Sequence, residues 1–278
     1  SERKLARAEG AGADALILDL EDSVPAEGKG AARGLAAEYL RGYRGERRAR
    51  LWVRINPLDS GLAEDDLADI ADARPDGIML PKAEGPADVA RLDEKLDAIG
   101  ADEAIAILPI VTETAAAPFR LGGFADVALP RLSGLTWGAE DLAAAIGASG
   151  NRWPDGSWHE SFRLVRSLTL LAARAAGVEP IETLHADFRD LEGLAAASRR
   201  ARAEGFTGRL AIHPDQVAVI NEAFRPDEAE IAHARRVVEA FAASGGAGAV
   251  GLDGQMLDRP HLKQAEALLA AAALFTRP

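Results

Sequence analysis

The 278-residue chain contains no cysteine. That excludes disulfides, zinc–thiolate sites and iron–sulfur clusters, leaves oxygen and imidazole as the ligands for any metal, and fits a reducing cytoplasm. Excess positive charge is also lacking. The formal net charge is −12, whereas nucleic acids and anionic membranes need a broad basic field. A small anionic ligand gripped by a few local arginines stays compatible. No apolar stretch approaches the roughly 20 residues that span a bilayer, and the start, SERKLARAEG, is charged where a signal peptide is apolar. The expectation is a soluble cytoplasmic protein with no nucleic-acid and no membrane partner. Familiar catalytic signatures are missing too. No Ser-His-Asp arrangement stands out, GASG at 147–150 is neither a Walker loop nor a dinucleotide fingerprint, and no two histidines have ligand spacing.

What is present is an ordinary globular composition, 48% hydrophobic and 27% charged, enough for one large core or two small ones. Short apolar runs alternate with longer Ala/Leu/Glu/Arg segments of helical period. The runs are ALILDL (15–20), LWVRI (51–55), GIMLP (77–81), AIAILPIV (104–111), LSGLTWG (132–138), EPIETLHA (179–186) and RLAIHP (209–214). Segments such as ADVARLDEKLDAIG and ESFRLVRSLTLLAARAAG lie between them and end in glycine, a common helix C-terminal residue. Regular alternation means parallel β/α units, because parallel neighbours need a crossover of a dozen or more residues.

A closed barrel and a doubly wound sheet are both built this way. The chain opens on a helix-like segment, so one strand that should precede it is missing from the count, and seven plus one gives eight. The fold expected is α/β, a (β/α)8 TIM barrel over residues 1–225 with its first strand absent from this chain. Residues 226–278 read as a C-terminal helical extension: one amphipathic helix, the glycine-rich loop SGGAGAVGLDGQ and a last helix. That is too short for an independent core, so an arm packing on the barrel or on a neighbouring subunit is expected.

Polar residues gather just after the strands: Glu21 and Asp22, Arg54 and Asn56, Lys82, Glu113, then Glu140 and Asp141. In a β/α barrel those positions share the C-terminal rim, where active sites are built. Glu113 and Asp141 follow consecutive strands, and two neighbouring carboxylates share either a proton or a cation. Asp141 alone also suits a helix cap, but together with the other rim residues an Mg2+ site is favoured, with Mn2+ as the other ion that fits such ligands. Arg54 ends an apolar strand and needs an anion. That anion is either Glu21 or Asp22, in a bridge that only holds the rim, or a carboxylate or developing enolate of a ligand. Lys82 is read as touching a ligand phosphate or pairing with Glu84. Thr114 and Gly138, next to the proposed ligands, are further candidates for supporting metal or substrate. His213 in IHPDQ is read as ending a strand, free to orient a rim group or stay structural. The arginine-rich LRGYRGERRARL precedes a strand and is a solvated loop on the opposite face. GASGNRWPDGSWHE (147–160) is either a lid or a surface loop pinned by its two tryptophans.

The segments GADALILDLEDSV, LWVRIN, GIMLPKAE, LPIVTETAAA, LSGLTWGAEDLAAAIG, GFTGRLAIHPDQVAVINEAF and LDGQMLDRPHLKQA together resemble the HpcH/HpaI aldolase/citrate lyase superfamily, in its citrate lyase beta-subunit-like branch. The resemblance covers almost the whole chain in order. It implies a TIM barrel that binds Mg2+ and cleaves or forms a carbon–carbon bond in a 3-hydroxyacyl-coenzyme A of malyl, citramalyl or citryl type. It also implies Glu113 and Asp141 as metal ligands, Arg54 beside the oxo-acid moiety, and a homotrimer or hexamer in which Asp258 of the GxMxD segment reaches a neighbour's site. Asp253 competes for that role, and either aspartate also suits a cap on the last helix. Glu21, Asp22 and Asn56 would order water or substrate. Three other activities stay open: a coenzyme-A-independent aldolase releasing pyruvate, a malyl-CoA thioesterase, and a non-catalytic subunit of a multi-subunit citrate lyase.

Overall fold

The computed structural model describes residues 7–43 and 49–275, so the middle of the arginine-rich segment lies outside the described residues. The chain divides into two compact units, residues 1–220 and 221–278.

Among the described residues of the first unit seven strands follow one another in chain order: β1 (Ala15–Asp19), β2 (Arg50–Arg54), β3 (Gly77–Leu80), β4 (Ala106–Pro109), β5 (Gly134–Thr136), β6 (Glu179–Glu182) and β7 (Gly208–Arg209). β1 to β4 pair in parallel, as do β5 to β7. Parallel bridges Ile107–Leu132 and Ile110–Thr136 join the two sets. Strand order decides between the two architectures left open by the sequence pattern. A doubly wound sheet reverses direction at a switch point, whereas each strand here lies beside its successor, the order of a barrel wall. Among the described residues none pairs β7 with β1.

The wall is two-sided because side chains alternate along a strand. Trp52, Met79, Leu108 and Ile110, with Ile181 and Leu210 against them, form one apolar cluster, while the intervening Leu51, Val53, Ile78, Leu80 and Ile107 join a second. The second cluster also takes residues from α1 (Lys29–Gly42), α2 (Ala63–Ile70) and α3 (Pro86–Ala98), so it is the layer between strands and helices. The first therefore fills the barrel. Helices α4 (Glu140–Ala145), α5 (Glu160–Ala175) and α6 (Leu191–Glu204) follow β5 and β6.

The segment expected to be a strand over 209–214 is mostly not one. The Gln216 side chain accepts from the backbone N–H groups of Ile212 and His213, at 2.9 and 3.3 Å. Those donors therefore serve the start of α7 (Pro214–Phe224) instead of a ladder.

The second unit contains α8 (Glu228–Ala243), strands β8 (Ala249–Leu252) and β9 (Gln255–Asp258), and α9 (Arg259–Leu274). The glycine-rich stretch, expected as a loop, is an antiparallel hairpin. Its Asp253-Gly254 turn has φ of 52° and 77°, the left-handed pair that a two-residue hairpin turn requires and that glycine takes without a Cβ clash. The hairpin brings together Ala234, Val237, Phe241, Leu257 and Ala265. The segment thus has a small core of its own, contrary to the expectation from its length.

Candidate active site

β1 and β2 end on two residues that face each other in register, Asp19 and Arg54. Both share the inward parity of Trp52. Arg54 donates to Asp19 through Nε to Oδ1 at 2.8 Å and through Nη2 to Oδ2 at 2.7 Å. Its third nitrogen, Nη1, lies 2.9 Å from Glu21 Oε2 and 3.6 Å from Asp22 Oδ2. Burial alone would weaken the guanidinium's hold on its proton, but the Asp19 pairing more than offsets that and raises its pKa. The Asp19 carboxyl, which burial pushes up, is brought below its ordinary value by Arg54. Arg54 is thus held by a carboxylate not foreseen from the sequence. Asp19 is a charged residue closing an apolar run, the same signal that marks Glu113.

The second half of the site is organised by Lys82, just beyond β3. Its backbone is left-handed, φ 55°. Its N–H donates to Glu113 Oε2 at 2.6 Å, and its ammonium donates to Glu21 Oε1 at 2.7 Å and lies 3.2 Å from Asp141 Oδ1. One residue therefore touches both proposed metal ligands. The expected pairing with Glu84 is absent because Glu84 is taken by Arg120 and by the Thr114 hydroxyl.

Beside Glu113, the loops after β4 and β5 lock together. Thr112 Oγ1 donates to the Gly138 carbonyl and accepts from the Gly138 N–H, both at 3.0 Å. A Cβ at Gly138 would stand 2.7 Å from Glu113 Cγ and 3.0 Å from its Oε1. Glycine here makes room for the carboxylate.

Glu113 is only 5% exposed. Burial, with the fields of Asp141 and Glu21 in the same direction, pushes its carboxyl up to about 7 against the Lys82 N–H. Glu21 is likewise raised, by burial first, although Lys82 and Arg54 oppose it. Its Oε2 is buried and makes no hydrogen bond of proper geometry. At this mouth five carboxylates, Asp19, Glu21, Asp22, Glu113 and Asp141, meet two cations, Arg54 and Lys82. The surplus negative charge suits a divalent cation. Among the described residues no cluster of three acidic, histidine or cysteine side chains is assembled for a metal. Mg2+ needs only one or two carboxylates and keeps several waters. Glu113 and Asp141 fit it: all-oxygen donors, one raised by burial as a carboxylate awaiting a cation would be.

The remaining candidates have other partners or are more exposed. Asn56 is buried with its amide fully engaged. Nδ2 donates to Leu20 O and Asp66 Oδ2, while Oδ1 accepts from Lys29 Nζ at 2.7 Å. It therefore holds the frame and is not a donor to substrate. Fully buried Asp66, unforeseen from the sequence, also accepts the Asn56 N–H at 2.8 Å and Arg33 Nε at 2.7 Å. Asp22 is largely exposed. The Thr114 hydroxyl accepts the Ala117 N–H at 3.2 Å, at the start of the short helical stretch Ala117–Ala125. His213 does not end a strand. It stacks on Phe188, with ring centroids 5.0 Å apart, and its Nδ1 accepts the Asp215 N–H at the start of α7.

In loop 147–160 it is Trp158 that packs inward, while Trp153 is exposed. Trp158 lies 5.0 Å from buried Trp137, Arg152 stacks over Trp158 at 3.4 Å, and Arg152 bridges Trp158 through the backbone. Glu140 accepts from Asn151 of this loop at 2.8 Å. Asp258 stands at the N-cap of α9, where His261 Nδ1 lies 2.6 Å from its Oδ1 and accepts its N–H. Asp253 pairs with Arg236 at 2.9 Å.

Residues 2–214 match the family described as HpcH/HpaI aldolase/citrate lyase, and residues 169–276 match C–C bond lyase of the TIM-barrel fold. A solved structure of CitE from Mycobacterium tuberculosis, in complex with magnesium, acetoacetate and coenzyme A, superposes with a TM-score of 0.80 at 37% identity, covering 98% of this chain and 94% of that one. Citramalyl-CoA lyase, mitochondrial, of Rattus norvegicus is 34% identical over 98% of this chain and 82% of its own length. A (3S)-malyl-CoA thioesterase of Cereibacter sphaeroides is 36% identical over 98% of this chain and 90% of its own.

Proposed function

The chain belongs to the HpcH/HpaI aldolase/citrate lyase family, TIM-barrel carbon–carbon lyases, and from that premise we propose that it is an Mg2+-dependent lyase acting on a 3-hydroxyacyl-coenzyme A. The substrate is of malyl, citramalyl or citryl type, and the products are an oxo acid and acetyl-CoA, in either direction. The observation that carries the proposal is the joining of Glu113, Asp141 and Arg54 at one mouth through Lys82 and Glu21. The CitE structure, which contains magnesium and coenzyme A, supports it.

Glu113 and Asp141 would hold Mg2+, which supplies Lewis acidity toward the substrate's carboxylate and hydroxyl oxygens. In the cleavage direction the C3 hydroxyl passes its proton to a water at the mouth and the C2–C3 bond breaks. The carbonyl of the oxo acid forms at C3, and the electron pair passes to C2 as the thioester enolate. Arg54, fixed by Asp19, puts a guanidinium where the oxo-acid carboxylate and its developing charge lie. Asp258 of a neighbouring subunit delivers the proton to C2, giving the acetyl methyl group. That role requires an oligomer, a homotrimer or a hexamer. The cysteine-free composition supports a reducing compartment, the cytoplasm.

A second reading is supported by the thioesterase relative: the same site would admit water to the thioester of malyl-CoA. One assay separates the two. The full chain is incubated with malyl-, citramalyl- and citryl-CoA, with and without Mg2+, while oxo acid, acetyl-CoA and free coenzyme A are followed. The lyase gives oxo acid and acetyl-CoA in equal amounts, the thioesterase gives free coenzyme A with the hydroxy acid, and no oxo acid from any substrate overturns the lyase reading.

A further inference from the structure

Lys82 joins three carboxylates of the mouth by two different means. Its backbone N–H fixes Glu113 Oε2 at 2.6 Å, while Oε1 lies on the Gly138 side. Its ammonium spans Glu21 and Asp141 unequally, at 2.7 and 3.2 Å. The backbone φ of 55° is one that residues with a Cβ rarely adopt and that glycine takes freely. Strain of this kind persists where the surroundings over-determine it, and it clusters at functional sites. Here the N–H bond needs only the backbone. The residue nonetheless carries a long cationic side chain, and that side chain lies against a proposed metal ligand.

We infer that the Lys82 ammonium is the counter-ion of the metal-free ligand set, holding Asp141 beside Glu21 until a divalent cation arrives and then yielding Asp141 to it. This rests on the proposed metal site. The unequal distances identify the contact that opens. Asp141, a proposed ligand, is held at the longer distance, whereas Glu21, not a ligand, keeps the ammonium at the shorter one. Lysine suits the exchange because its compact charge sits on a flexible stem and can retreat from one carboxylate without leaving the other. Lys82 is thus a positioning residue that lowers the site's affinity for divalent cations. In return, three neighbouring carboxylates are kept from repelling one another when the cation is absent.

The test is Mg2+ titration by calorimetry into the chelator-treated full chain, wild type against three variants. Lys82→Met removes the charge and keeps a Cβ at the same backbone position. Lys82→Gly removes the charge and relieves the backbone, so it serves if the first fails to fold. Lys82→Arg keeps the charge. Both neutral variants should bind Mg2+ at least about tenfold more tightly than wild type, since a cation within a few ångströms of the site is gone. Lys82→Arg should stay within about threefold of wild type. Metal-free Lys82→Met should melt below wild type, and Mg2+ should close that gap. Equal or weaker Mg2+ binding by the neutral variants, with wild type binding normally, overturns the inference and leaves the metal site standing. No Mg2+ binding by wild type overturns the metal site and this inference with it.

Discussion

Asp19 grips Arg54 with two parallel hydrogen bonds, Nε to Oδ1 at 2.8 Å and Nη2 to Oδ2 at 2.7 Å, across the register-paired ends of the first two strands. The fork fixes the plane of the guanidinium, which a single contact would not. Asp19→Asn should leave the chain folded, with a loss of about 1–2 kcal/mol in stability. It should lower turnover of the 3-hydroxyacyl-CoA by about a hundredfold, because a misdirected guanidinium no longer meets the developing charge. Arg54→Lys keeps the charge but cannot form the fork and should lose activity to a similar degree. Steady-state kinetics with thermal melting checks both. Full turnover by Arg54→Lys would mean that charge alone suffices.

Glu113 gives a pH signature with a defined sign. Its carboxyl is raised to about 7 in the metal-free fold, from 4.5 ordinarily, with burial the leading cause. Its contribution to stability is therefore complete below pH 4.5 and is lost as pH rises to 7, in all about 3 kcal/mol. Melting curves of wild type and Glu113→Gln without metal should diverge over that window, with wild type losing stability relative to the variant. Mg2+ binds the ionised form, so its apparent affinity should weaken about tenfold per pH unit below 7. The melting shift caused by Mg2+ should be larger at pH 8 than at pH 6, and equal shifts would count against Glu113 as a ligand.

Gly138 tests the geometry of the same carboxylate without touching its charge. An added Cβ would meet Glu113 Cγ at 2.7 Å and Oε1 at 3.0 Å, closer than real contacts allow, so the side chain of Glu113 must move. Gly138→Ala should weaken Mg2+ binding by about ten- to a hundredfold, the scale for disturbing the groups that orient a ligand. The far-ultraviolet circular dichroism should stay unchanged. Calorimetric titration reads the effect, and wild-type affinity would show that Glu113 tolerates displacement.

Much of this arrangement is legible in the residue order. The alternation of apolar runs with helical segments gives the barrel wall, and a charge closing an apolar run marks Arg54 and Glu113. That rule, applied evenly, would also have found Asp19 in LILDL. What the sequence does not carry is partnership. Lys82 and Glu84 are close in sequence, but they point to different neighbours, because the left-handed turn at Lys82 swings its ammonium toward Glu21 and Asp141. Asn56 looks like a rim donor until the buried Asp66, which lies on α2, takes its amide. The Asp253-Gly254 turn was readable by its dipeptide, yet the surrounding glycines mask the hairpin strands, since glycine is a poor strand former.

Asp258 poses the sharpest choice between structure and chemistry, because it sits at the N-cap of α9 with His261 against its carboxylate. Asparagine caps a helix about as well as aspartate. Asp258→Asn should therefore melt within about 1 kcal/mol of wild type while losing the ability to deliver a proton to C2. If the aspartate serves a neighbouring subunit's site, Asp258→Asn and Arg54→Ala chains, each inactive alone, should regain activity when mixed and allowed to exchange subunits. In such a mixed oligomer some sites combine an intact Arg54 from one chain with an intact Asp258 from the other. Recovery measured as oxo acid released from the 3-hydroxyacyl-CoA supports the shared site. Activity of Asp258→Asn equal to wild type would leave the residue as a helix cap, and a dead mixture in verified mixed oligomers would confine each site to a single chain.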